Sequence, residues 1–154
     1  MLDTPHMIQT EARLYAFIHL TVPRAEIRNV MGPGLQELKA EVEAQGVAVT
    51  GPWFTHHLRI PSVTFDFEIC MPVASAVAAS GRVKPGVWPS MQMAHTVYQG
   101  GYEGLGAAWK EFDAWTWAQG LAPAQDLWEC YVRGPESGAD SDSWITELSR
   151  QLLA

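Results

Sequence analysis

The chain has two cysteines, Cys70 and Cys130, in 154 residues. That is too few for a disulfide framework, so a small stapled extracellular scaffold is excluded. No apolar run approaches the roughly 18 residues of a membrane-spanning helix. The N-terminus, MLDTPHMIQTEARLYAF, has no basic segment followed by an apolar one, so it does not read as a secretory signal. These absences predict buried, inert thiols and a cytoplasmic, reducing location. Positive charge is also scarce: Lys+Arg 10 stand against Asp+Glu 17, a formal charge of -7. An acidic chain lacks the electrostatic footprint for nucleic acid, and anionic membranes are equally poor partners. There is no HExxH, no CxxC and no histidine cluster, so no metal is expected. His56 and His57 are adjacent, and adjacent residues of a strand point to opposite faces, so they cannot chelate one ion together. They read as solvated or groove-edge histidines. There is no phosphate-binding glycine loop and no GxSxG elbow, and no cofactor is expected.

What is present is a globular composition, 47% hydrophobic and 18% charged. The length predicts one domain over residues 1–154. The outlier is tryptophan, with seven residues. Surplus Trp serves packing, or a binding site where large flat rings give contact area at low entropy cost.

Hydrophobic periodicity places the elements. Leu14, Ala16, Ile18 and Leu20 alternate with Tyr15, Phe17 and His19, which predicts a strand over 7–20. After Gly32-Pro33-Gly34, the residues Leu35, Leu38 and Val42 recur at helical spacing, which predicts an amphipathic helix capped by Gly46. WFTHHLRI and VTFDFEICM read as strands. In the second, Phe65, Phe67, Ile69 and Met71 share one face, the pattern of a sheet covered on that face. Residues 73–89 read as a loop. A second cycle follows: a strand over 90–98, a helix over 102–120, strands over 126–132 and 144–152. The order is β-α-β-β twice, and the halves share sequence. AQGVAVTGPWFTHHL (44–58) and AQGLAPAQDLWECYV (118–132) align Phe54 with Trp128, Thr55 with Glu129 and His57 with Tyr131. The expected fold is therefore α+β: two pseudo-symmetric modules, 7–72 and 90–152, joined by a linker over 73–89. They would form one antiparallel sheet with two helices on one face and a ligand groove between them.

At this point the residues resemble a family. Gly51-Pro52-Trp53-Phe54, Phe65-Asp66-Phe67-Glu68 and Met71-Pro72-Val73 carry the likeness in the first half. Gly101-Tyr102-Glu103-Gly104-Leu105, Trp128-Glu129-Cys130-Tyr131 and Thr146-Glu147-Leu148 carry it in the second. In this order they are similar to the GyrI-like small-molecule-binding domains, also called bacterial transcription-activator effector-binding domains. The chain departs from the family's pattern at Tyr98, where His is frequent, at Gly101, where Pro is common, and at Gln151-Leu152, where Pro-Leu is usual. The family occurs as the sensor half of regulators, and alone as drug-binding proteins, gyrase inhibitors and hydrolases of cyclopropane-bearing alkylators. Because the chain begins at the first strand, it is expected to be a stand-alone member.

Glu129 and Tyr131 are two apart on a strand and share a face. Alternation by itself admits Glu129 in water with Trp128 and Val132 buried; the resemblance implies that Glu129 sits in the groove. A carboxylate among aromatic rings can pair with a planar cation, or act as a general acid or base once desolvation raises its pKa. Trp53 and Phe54 would flank the same groove. Trp109 and Phe112 lie on the apolar stripe of the second helix and read most simply as core, while also being candidate groove walls. Trp117 lies off that stripe and faces either the groove or a partner. The expected ligand is a small hydrophobic or aromatic compound, cationic ones included, with drug or toxin resistance or sensing as the role. A cofactor-free hydrolase using Glu129 and Tyr131 is the second reading, and a contact inhibitor of DNA gyrase the third. A homodimer is an allowed assembly.

Overall fold

A computed structural model describes residues 1–153. It resolves into two units, one from Glu11 to Ser90 and the other from Met1–Thr10 together with the residues from Met91 onward. The architecture is α+β, and the pairings within each unit are antiparallel.

The Glu11–Ser90 unit begins with a strand at Arg13–Pro23 and a helix at Ile27–Ala44, which we call β2 and α1; β1 (His6–Gln9) precedes them in the chain. Strands β3 (Phe54–His57), β4 (Thr64–Pro72) and β5 (Val83–Trp88) follow. The strands lie in the order β3-β4-β2-β5. The second unit holds β6 (Gln92–Gln99), α2 (Leu105–Ala118), β7 (Pro123–Arg133) and β8 (Ile145–Leu152). With β1 as an edge strand, its order is β7-β8-β6-β1. Each unit therefore runs strand, helix, strand, strand with the same pairing. The repeated positions agree in register: Thr55 lies opposite Ile69, as Glu129 lies opposite Leu148.

In the first unit α1 packs on β2 and β4. Leu38 and Val42 meet Ala16, Ile18, Phe67, Ile69 and Met71, all buried, which is the face that alternation assigned to the core. The helix is longer than expected. It starts at Ile27 rather than after Gly34 and carries Pro33 inside it. Proline normally ends a helix, but here tertiary contact overrides the local signal. Gly34 lies against the sheet, where an added Cβ would come within 2.6 Å of Ile69 Cδ1, so the glycine sets how closely α1 approaches. Gly46 follows the helix at φ +67°, the left-handed cap expected there.

Residues 73–89 contain β5, not only loop. Val83 and Trp88 are buried. Pro85 is tolerated because β5 pairs on one side with β2, and an edge strand can spare a ladder donor. Gly86 is required there: Tyr15 from the neighbouring strand lies over it, and a Cβ would meet the ring at 2.7 Å. The 7–20 strand is likewise two strands, β1 and β2, with residues 10–12 between. The sheet face away from α1 is also not the solvated face that alternation predicts. Tyr15, Phe54 and Trp88 stack there through ring centroids 5.5 and 5.1 Å apart, and Cys70 beneath them is buried.

In the second unit α2 lays Ala108, Phe112 and Thr116 on the sheet, against Ala94, Tyr98 and Leu148. It ends before Gly120, at φ +73°. No helix among the described residues is long and apolar enough to cross a membrane.

Candidate functional site

Strand β7 alternates as β-strands must. Leu127, Glu129 and Tyr131 face α2, paired across β8 with Arg150, Leu148 and Thr146. Trp128 and Cys130 take the other face. Glu129 therefore sits in a position that packing alone would give to an apolar residue, directly beside the buried Leu148.

Helix α2 covers it. Trp109 donates from Nε1 to Glu129 Oε2 at 2.6 Å. Tyr131 donates from its hydroxyl to Glu129 Oε1, also at 2.6 Å. These are the lengths of charge-assisted bonds, and each carboxylate oxygen has one. Burial holds the carboxyl above its ordinary range, while the bonds from Tyr131 and Trp109 pull it back down. Among the described residues, no positive side chain is one of its partners. Desolvation thus outweighs two good hydrogen bonds.

An aromatic wall continues from Tyr131. Tyr102 packs edge-on against Tyr131 at 5.8 Å and at a tilt against Trp144 at 4.8 Å. Burial, then the negative charges of Glu136 and Glu129, push the Tyr102 phenol up to about 12. Its hydroxyl lies so close to Gly134 that a Cβ there would meet it at 2.4 Å. Trp109 itself packs on the fully buried Phe112 at 5.7 Å.

One turn further along α2, Asp113 pairs with Arg150, whose second guanidinium nitrogen donates to the Ala124 carbonyl at 2.6 Å. Trp109 and Asp113 are i and i+4, so they lie on one helix face and form two successive polar ties to the sheet.

Of the residues singled out in the sequence, Trp109, Glu129 and Tyr131 meet, with Phe112 beneath them. Trp117 is 63% exposed and stands outside this cluster. Trp53 packs against the α1 core of the first unit, and Phe54 is buried on that unit's opposite face between Tyr15 and Trp88. His57 is not solvated. It is buried, stacked on Phe67 at 5.4 Å, and burial followed by the neighbouring His56 lowers its pKa to about 4. His56 is half-buried and bonds through Nδ1 to Glu68 Oε1 at 3.0 Å, where the Tyr15 hydroxyl also donates at 3.2 Å. Tyr102, Trp144, Thr146 and Arg150 were missed as site residues. Tyr102 and Thr146 stand in the motifs quoted above; Trp144 and Arg150 had no signal beyond being a large ring and a charge inside an apolar strand.

The sequence matches the model of the GyrI-like small molecule binding domain over residues 3–151. No curated protein sequence matches it. Among solved structures, the chain is similar to the C-terminal domain of EcmrR, at 19% identity and a TM-score of 0.86 over 97% of each chain. Against EcmrR in its DNA complex, the identity is 21% and the TM-score 0.82; the match covers 97% of this chain but 57% of that one. A hydrolase from Listeria innocua matches at 11% identity, TM-score 0.70, over 97% of this chain and 91% of that one. SAV2435 bound to tetraphenylphosphonium matches at 14% identity, TM-score 0.64, over 99% and 95%. At such identities these likenesses concern the fold.

Proposed function

The chain belongs to the GyrI-like small-molecule-binding domain family, and from that premise we propose that it binds lipophilic aromatic cations against Glu129. The observation that carries this reading is a desolvated carboxylate, held by two neutral donors, with aromatic rings around it and no cation among its partners. Such a group lowers its free energy by taking up either a proton or a positive charge. A delocalised cation suits it because both oxygens already hold a donor, so the ligand needs charge and flat surface more than N–H groups. The rings of Trp109, Tyr131 and Tyr102 supply the matching surface. SAV2435, similar in fold, has a solved structure bound to tetraphenylphosphonium, a cation of this kind. Capture or sensing of such compounds, in drug or toxin resistance, is the proposed role.

The test is titration calorimetry with tetraphenylphosphonium and with neutral triphenylphosphine oxide. Glu129→Gln keeps the shape and removes the charge. Losing one desolvated charge partner costs about 2–5 kcal/mol, so tetraphenylphosphonium should weaken by roughly 30-fold or more while the neutral compound changes little. Equal effects on both compounds sink the reading.

The raised carboxyl pKa beside the Tyr131 hydroxyl favours a second reading, a hydrolase. Protonated Glu129 would donate to the leaving atom of a strained ring as water adds, and recover the proton from that water. A cyclopropane-bearing alkylator should then gain the mass of water, and Glu129→Gln should slow this by about 10²–10⁴-fold. An unchanged mass removes this reading and leaves the first standing.

A further inference from the structure

Thr146 is fully buried on β8, on the sheet face toward α2. It lies directly opposite Tyr131 on one side and Tyr98 on the other. Its hydroxyl takes no hydrogen bond among the described residues. The two neighbouring phenols are committed elsewhere, Tyr131 to Glu129 Oε1 and Tyr98 to the Gly101 carbonyl at 2.8 Å. A buried hydroxyl left unpaired destabilises a fold. Valine has nearly the same shape, suits a strand and carries no polar atom. Thr at this place therefore costs stability that Val would not, which points to a use outside folding.

We infer that the Thr146 hydroxyl binds a neutral polar group of the ligand, a hydroxyl or carbonyl, and so selects among aromatic cations. The inference rests on the reading of Glu129 as the cation's partner. Its geometry is set by the sheet. Tyr131 faces Thr146, and Glu129 is two residues earlier on the same strand face, so Thr146 and Glu129 are diagonal cross-strand neighbours, about 7–8 Å apart between backbones. The preferred ligand then has a positive centre and, one aromatic ring away from it, a hydrogen-bonding oxygen. A hydroxyl can serve either oxygen type, since it both donates and accepts.

The test uses tetraphenylphosphonium and its (4-hydroxyphenyl)triphenylphosphonium analogue, with the 2- and 3-hydroxy isomers to cover the direction of approach. Wild-type protein should bind at least one hydroxylated cation about fivefold to tenfold more tightly than the parent, the worth of one added hydrogen bond. Thr146→Val should erase that preference, and Thr146→Ser should keep it. A wild type indifferent to every hydroxyl position overturns the inference, as does a preference that survives in Thr146→Val. Failure of the Glu129 reading looks different: Glu129→Gln would then leave tetraphenylphosphonium binding intact.

Discussion

The pair that ties α2 to its sheet should be worth more as a pair than its guanidinium is worth to the fold. Arg150 is 3% exposed at the side chain, and Asp113 is 32% exposed. Asp113→Ala strands a buried guanidinium with one carbonyl, that of Ala124. Breaking a fully buried pair from one side costs about 3–5 kcal/mol. Water reaches a third of Asp113 and can follow into the space it leaves, and Ala is the better helix former by about half a kcal/mol. The net expected loss is about 2 kcal/mol, or roughly 4–8 °C in Tm for a chain of this size. Arg150→Met should behave differently. It removes the buried charge and keeps the apolar stem, Asp113 is solvated, and the Ala124 carbonyl loses one donor, for a cost of about 1 kcal/mol or less. The double variant should sit near Arg150→Met, because the stranded charge is gone. Urea melts followed by circular dichroism give all three values. If Arg150→Met costs as much as Asp113→Ala, the guanidinium is a net stabiliser and the desolvation argument is wrong.

Two further outcomes are expected. Gly34→Ala gains helix propensity, yet its Cβ collides with Ile69 Cδ1, and overpacking of this kind costs about 1–3 kcal/mol; Ile69→Val lacks that atom, so the double variant should recover stability in the same urea melt, and no recovery would locate the strain elsewhere. His57, with a pKa lowered to about 4 in the fold, stays neutral where the unfolded residue ionises near 6.5, so stability is fully present above pH 6.5 and is lost as pH falls toward 4. His57→Phe keeps the stack on Phe67 and removes the titration, so the Tm drop between pH 7 and pH 4.5 should shrink, and an unchanged drop would place the acid sensitivity in other groups.

The helix-side core was legible because alternation and helical spacing are direct records of a buried face. Phe67, Ile69 and Met71 meet Leu38 and Val42 as their periods require. The ends of elements were less legible. Gly32-Pro33-Gly34 carries every local signal of a break, and α1 runs through it because a small residue against Ile69 is worth more in packing than its propensity costs. β5 hid behind Pro85 and Gly86, both breakers in isolation and both permitted at an edge. His57 looked polar and solvated because composition cannot show that Phe65 and Phe67 enclose it. Residue order alone left Glu129 with two readings; only the family likeness pointed it inward, and Trp109 and Tyr131 now hold it there.

Burial by itself does not single out Glu129, because Glu68 is buried and Glu129 is half-buried by exposure. The difference lies in what each fold unit sets against the charge. Glu68 shares one oxygen between the Tyr15 hydroxyl and the His56 imidazole, and an imidazole can take up a proton and become the counter-ion. Its compensation is built into the first unit. Glu129 receives an indole N–H and a phenol, neither of which can become positive. Both donors orient the carboxylate without neutralising it. At the register position that matches Glu129, the first unit has Thr55, a small hydroxyl residue that is fully buried at no electrostatic cost. The fold therefore does not require a carboxylate at this place. On the proposed function, a sequence that breaks its own packing rule at one position, and leaves the resulting charge unmatched, has its reason in what binds there. On that proposal Glu129 is the residue on which ligand binding stands or falls, and the missing counter-charge is what the ligand supplies.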